Sequence, residues 1–368
     1  MKNQRRFFVI LFLSVAIFLL FPFFVCAEEP SEEKIDLSVP PSVEEYLPDG
    51  VGSFSPEEVL NTFDFHFFSE IGIKILAEAA PLAAKNFALL LGLLLLSAVL
   101  GVVRRMVSVP GLQTAMELVS MICLASAIFS VTETAFSLAE DFVSSLASFM
   151  RMITPTMAGF MVASGEATAA AVISGVIFTA VSLLENIVAN VLFPMIRLSL
   201  CLSLVTSLFG ISGISGVVPT LKKMIGYVFG FVTLCLSAVL MFQGMIAKSA
   251  DSLAMRGIKF AVGQFVPFVG GAVNEALSTI MGGIGKIRTA TGVLGAVIVC
   301  LIAAMPVIRV LLHKMFLELV SVCAGILGLP SENKLMGDVS GFLGYTAAVM
   351  AISSVFFVLS LSMMASIG

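Results

Sequence analysis

From residue 86 to residue 365 the chain is a succession of apolar runs: 86–103, 112–131, 168–190, 191–210, 224–246, 290–311 and 341–365, with a shorter one near 315–329. Each long run approaches the ~20 residues an α-helix needs to cross the hydrocarbon core of a bilayer. In that solvent every backbone N–H and C=O must be satisfied inside the structure, and for continuous apolar runs the helix is the outlet. The expected fold is therefore all-α, a polytopic integral membrane helical bundle over residues 86–368. Composition agrees: 59% of the residues are hydrophobic and 12% charged, too little charge to solvate a soluble domain of this size. A net charge of −4 leaves no footprint for nucleic acid.

The amino terminus reads as a signal peptide over residues 1–27. Lys2, Arg5 and Arg6 precede an apolar run from Phe7 to Phe24, and Val25-Cys26-Ala27 then offers a cleavage site after Ala27. The alternative is an uncleaved anchor helix, since the run is about long enough to span. Residues 28–85 form an extracytoplasmic segment, first an acidic linker with Pro30, Pro40, Pro41 and Pro48, then an amphipathic helix. Ser55-Pro56-Glu57-Glu58 is a helix start, and Val59, Phe63, Phe67, Ile71 and Ile75 recur every four residues as one stripe. That stripe suits a membrane surface, a partner, or this protein's own membrane domain.

Arg104-Arg105, Lys222-Lys223 and Lys334 fall between the apolar runs, so the positive-inside rule puts them in the cytoplasm. Glu133, Glu140 and Asp141 would then lie outside.

An internal repeat of about 112 residues runs through the membrane domain without gaps, with units of approximately 112–223 and 224–335. Pro155-Thr-Met-Ala-Gly159 aligns with Pro267-Phe-Val-Gly-Gly271, and Phe193-Pro-Met-Ile-Arg197 with Met305-Pro-Val-Ile-Arg309. Cys123-Leu124 and Cys235-Leu236 keep the same offset, as do Lys222 and Lys334. Related halves of this kind build the pathway in many transporters.

Helix breaks in such a domain are where polar chemistry belongs. Proline removes a backbone bond and glycine permits close approach, so Pro155, Gly159 and Glu166, with Pro267, Gly271 and Glu275, are the candidate break or pathway residues. Both segments are expected to be broken or re-entrant. Acidic groups at membrane depth are functional by default, and water at a loop end is the alternative for both glutamates. Arg197 and Arg309 are candidate intramembrane charges, either paired with those glutamates or snorkelling to the interface. No HExxH, P-loop or GxSxG pattern occurs, so no catalytic residue, cofactor or metal site is expected and the chain is read as a non-enzyme. Five cysteines sit inside apolar runs as small hydrophobes.

The stretch Pro155-Thr-Met-Ala-Gly-Phe-Met-Val-Ala-Ser-Gly-Glu166 resembles the stage III sporulation protein AE family. So do Ala250-Asp251-Ser252, Lys259-Phe260, Val266-Pro267-Phe-Val-Gly-Gly271, Asn274-Glu275-Ala276, Gly292-Val-Leu-Gly295 and Met305-Pro306. The resemblance is densest from about 150 to 310 and thin before 80 and after 330. It implies a multi-pass protein of the mother-cell membrane facing the forespore. Its partners would be a secretion-type ATPase and ring-forming subunits of one channel-like complex, with this chain as the permease-like component. A stand-alone secondary transporter and a non-conducting scaffold are the competing readings.

Overall fold

The computed structural model describes residues 62–63, 65–209, 216–249 and 270–366. The signal peptide, the acidic linker, the Ser55–Glu58 helix start and Pro267 lie outside the described residues. The elements are α1 (Phe65–Met106), α2 (Pro110–Ala163), α3 (Ala167–Ile187), a π turn (Val188–Leu192), α4 (Phe193–Phe209), α5 (Val217–Ser249), α6 (Gly270–Ile326) and α7 (Pro330–Ser366). Six stretches among the described residues are helical, long and apolar enough to cross a membrane. The expected all-α bundle is what the chain forms.

The sequence reads as two separate apolar runs here, 168–190 and 191–210. They form one continuous stretch instead, Ala167–Ser207. Pro194 cannot donate to the carbonyl four residues back, and the π turn just before it takes up the misfit without ending the helix. Likewise 315–329 is largely the last part of α6, not a separate segment. Glu133, Glu140 and Asp141 sit within the 54-residue α2.

The stripe of the first helix turns inward. Phe63, Ile71 and Ile75 are buried, and Phe67 packs against the same core. Ala79, Ala83, Leu90 and Leu94 continue that face into the apolar run. Of the three surfaces open to this stripe, its own bundle is the one it covers.

The helices alternate in direction, and side-chain bonds mark two ends. At one end Arg104 of α1 pairs with Glu117 of α2, Ser97 donates to Glu332 of α7 (2.9 Å), and Lys222 of α5 reaches Asp338 of α7 (2.6 Å). This is the end that carries Arg104, Arg105, Lys222, Lys223 and Lys334. At the opposite end Thr289 of α6 meets the Ala365 carbonyl of α7, and the α2–α3 turn closes on α6.

The centre of the bundle is α7, packed along α6. In the apolar window of α7, 72% of residues are buried, against 17% in that of α1. No large apolar side chain of α7 is exposed, whereas α1 exposes Leu82, Leu89, Leu95, Leu96 and Val99. Two glycines let α6 approach so closely: a Cβ on Gly292 would stand 2.5 Å from Cβ of Ala365, and one on Gly295 would overlap Ile153 of α2. Ala365 cannot swing away, so Gly292→Ala is expected to destabilise the bundle by about 1–3 kcal/mol. Gly226→Ala, with open space around it, should be neutral or slightly stabilising, and unfolding in detergent with graded denaturant compares the two.

Candidate functional site

Two charged levels interrupt the apolar interior. Between Arg288 and Arg309 α6 carries no Asp, Glu, Lys, Arg or His. Those 20 residues rise roughly 30 Å at 1.5 Å each, about the thickness of a hydrocarbon core. On α6, charge is confined to the two sides of that stretch.

The first level is built on the turn from α2 to α3. α2 ends as the N–H groups of Ser164, Gly165 and Glu166 bond to Phe160, Val162 and Met161 carbonyls, each at 2.9 Å. Gly165 takes a left-handed φ of 92°, which a side chain would strain. The chain reverses, and Glu166 becomes the N-cap position of α3 without capping it. Its carboxylate turns inward instead and accepts from Arg288 Nη1 at 3.0 Å. Only 10% of the Glu166 side chain and 4% of that of Arg288 is exposed. Each ion this far from water offsets the other's charge, and neither is tolerable there alone.

Glu166 is thus placed at a break and in the interior rather than in water at a loop end, the two surroundings the sequence left open. Pro155 and Gly159 are not. Both lie inside the unbroken α2, exposed on its outer face, and nothing approaches Gly159. Pro155 forfeits one bond, to the Arg151 carbonyl, but the helix continues through it, and the break falls instead at Ser164–Glu166. Gly271 and Glu275 also fall within helix, in the opening turns of α6, so this segment is helical rather than re-entrant from Gly270 onward. Their side chains, like Pro267, are outside the described residues.

The second level gathers on α6 and α7 toward the basic end. Lys314, 5% exposed, donates to Glu318 one turn on, and Ser340 of α7 donates to the same carboxylate at 3.1 Å. His313, 4% exposed, bonds Asn86 of α1 (3.3 Å) and the Arg309 carbonyl (2.7 Å). Asp338 takes Lys222 from α5 and Ser203 from α4, the latter at 2.7 Å. Ser321 and Asn333 close the turn between α6 and α7 at 2.7 Å. Four outer helices are thereby pinned to the central hairpin by polar contacts: α1, α4 and α5 here, α2 through its turn at the first level.

Arg197 and Arg309 do not meet the expected glutamates. Arg197 bridges Glu133 and Glu140, two turns apart on α2, at 3.2 Å each, above the ring of Phe136. Arg309 is half-buried, and its Nε has no partner among the described residues. The repeat-matched arginines therefore sit in unlike surroundings. Glu185 pairs with Arg151 across the α2–α3 hairpin.

Sequence reasoning did not single out Arg288, His313, Lys314, Glu332 or Asp338. Arg288 reads as an ordinary flank of the run that begins near 290, and its partner is 122 residues away. Among the described residues no three His, Cys, Asp or Glu side chains come together as a metal site. What the arrangement offers is neutralised charge and hydrogen bonding inside an apolar bundle.

Residues 53–368 match the family model of stage III sporulation protein AE. The chain is 27% identical over 325 residues to "Stage III sporulation protein AE" of Bacillus subtilis (strain 168), which covers 87% of this chain and 78% of that relative. The matched region includes the segments before 80 and after 330, where the resemblance in the sequence was thin. No solved structure matches the chain.

Proposed function

This chain belongs to the stage III sporulation protein AE family, and from that premise we propose that it is the permease-like, multi-pass component of the channel complex that joins mother cell and forespore. The observation that carries the reading is the paired charge inside the bundle at both levels, Glu166 with Arg288 and Lys222 with Asp338. A membrane domain that only filled the bilayer would have no use for ion pairs sequestered among its helices at both edges of the apolar stretch, where each ion must offset its own desolvation. The basic end faces the mother-cell cytoplasm by the positive-inside rule. The Glu166–Arg288 end then faces the space next to the forespore, where ring-forming subunits would dock, and a secretion-type ATPase would act from the basic side. The 112-residue duplication supplies the two related halves of the path; α5 and α7 begin at Val217 and Pro330, nearly that far apart.

Deleting the gene in the native host tests this. The expected result is a block after engulfment, with forespores that collapse and a late forespore reporter that stays silent. Normal spores from a host with no second copy would overturn the reading and leave the lone-transporter alternative. Conduction and scaffolding separate on assembly. A conduit variant lets partner subunits co-purify while the reporter stays silent, whereas a scaffold variant loses both.

A further inference from the structure

α5 turns one stripe into the bundle: Val218, Ile225, Val232, Leu236 and Gln243, spaced as a single helical face. Four of these are apolar. The fifth is a carboxamide with 0% exposure whose Oε1 and Nε2 both lack a hydrogen-bond partner. The next residue, Gly244, fixes where this end of the stripe lies, because its Cβ position is 3.1 Å from the Met363 terminal methyl of α7.

One turn from Met363 stands Ser360, also 0% exposed, with its hydroxyl unpartnered. A helical serine normally satisfies itself on the carbonyl four residues back. Elsewhere on α7 this happens: Thr346, Ser353 and Ser354 donate to Phe342, Val349 and Met350 at 3.1, 2.8 and 2.8 Å. Ser360 does not. Two uncharged polar groups, each within one turn of the same α5–α7 contact, thus have no hydrogen-bond partner among the described residues. Desolvating such groups is costly, and leucine and alanine would pack a purely structural seam at no such cost. Within the two helices themselves, α5 has no charged residue between Lys223 and Lys248, and α7 has none after Asp338.

We propose that the α5–α7 seam at Gln243 and Ser360 is a hydrated site, in which water bonds the carboxamide and the hydroxyl between two apolar helices. An amide with two donors and an acceptor, with a hydroxyl that is both on the facing helix, can satisfy water on each side. The site's existence does not depend on the sporulation role.

Cysteine labelling in membrane vesicles tests it, on the full chain with its native cysteines replaced. Thiols react with small methanethiosulfonate reagents as thiolates, which form only where water reaches. Ser360→Cys is expected to react at least tenfold faster than Ser354→Cys, a residue equally buried but bonded to Met350. Adding Gln243→Leu should slow the Ser360→Cys reaction several-fold while raising the denaturation midpoint. Equal rates at positions 360 and 354 would overturn the site, as would an unchanged rate after Gln243→Leu. If Ser360→Cys fails to fold, Gln243→Cys is read against Leu236→Cys with the same two outcomes.

Discussion

Arg288→Met is expected to cost the bundle about 3–5 kcal/mol, because it leaves the Glu166 carboxylate buried without its cation. Glu166→Leu alone should cost about as much, for the mirrored reason. The double variant Glu166→Leu/Arg288→Met should return to within about 1 kcal/mol of the parent, since two apolar groups of similar bulk replace an ion pair that just offset its own desolvation. Denaturant titration of the purified chain in micelles measures all four proteins. Additive losses would mean that the two side chains do not act on each other, and the 3.0 Å contact would then be incidental. The double variant also carries the functional test. If it is stable, inserted and assembled but the late forespore reporter is silent, the charges themselves are in use. If sporulation is normal, they serve only to hold the turn onto α6.

The second large effect concerns α7. A chain cut before Pro330 should not fold into a stable bundle at all, because α7 is the surface on which α6, α2, α4 and α5 pack. A finer probe is Phe357→Ala. Phe357 is fully buried, in edge-to-face contact with Phe356 at 4.9 Å, and its loss opens a cavity worth about 3–5 kcal/mol. Leu234→Ala on α5 removes a side chain 67% exposed and should change stability by less than about 0.5 kcal/mol. Comparable losses from the two would place α7 at the periphery and contradict the packing.

How much of this could be read in the sequence depends on which force each feature obeys. Membrane-length helices follow from hydropathy, which local sequence records directly. Helix ends are harder. Pro155 read as a break, yet a single lost bond is small beside the packing of a long helix, and at Pro194 a π turn absorbs the misfit. Glu166 was legible because glycine and a carboxylate coincide at a turn. Arg288 was not, because an ion pair spanning 122 residues leaves no mark in local pattern.

The rank of the helices within the bundle was hidden because hydropathy scores lipid-facing and core-facing residues alike. A signal did exist. The α7 sequence is rich in serine, glycine and alanine, from Ser340, Gly341 and Gly344 through Ala347, Ala348, Ser353 and Ser354. Small residues let helices approach in a solvent that does not itself drive them together, while large ones cover the outside. The leucines of 89–96 on α1 show that second pattern. Comparing side-chain size between runs, rather than hydropathy, would have named α7 as the centre.

That order has a cost during synthesis. The ribosome delivers α1 to α6 before the helix that joins them, so for the time it takes to make about forty more residues the partners of α7 wait in the membrane. Lys222, Ser203 and Ser97 then have neither Asp338 nor Glu332 to bond. The α1, α2 and α6 helices can already pack on one another, but the polar groups meant for α7 stay exposed, open to mispairing. The bundle closes only when α7 is threaded into a gap already surrounded. Slow elongation near the α6–α7 turn, or a membrane chaperone that shields those groups, would therefore govern yield more strongly than any property of the finished bundle.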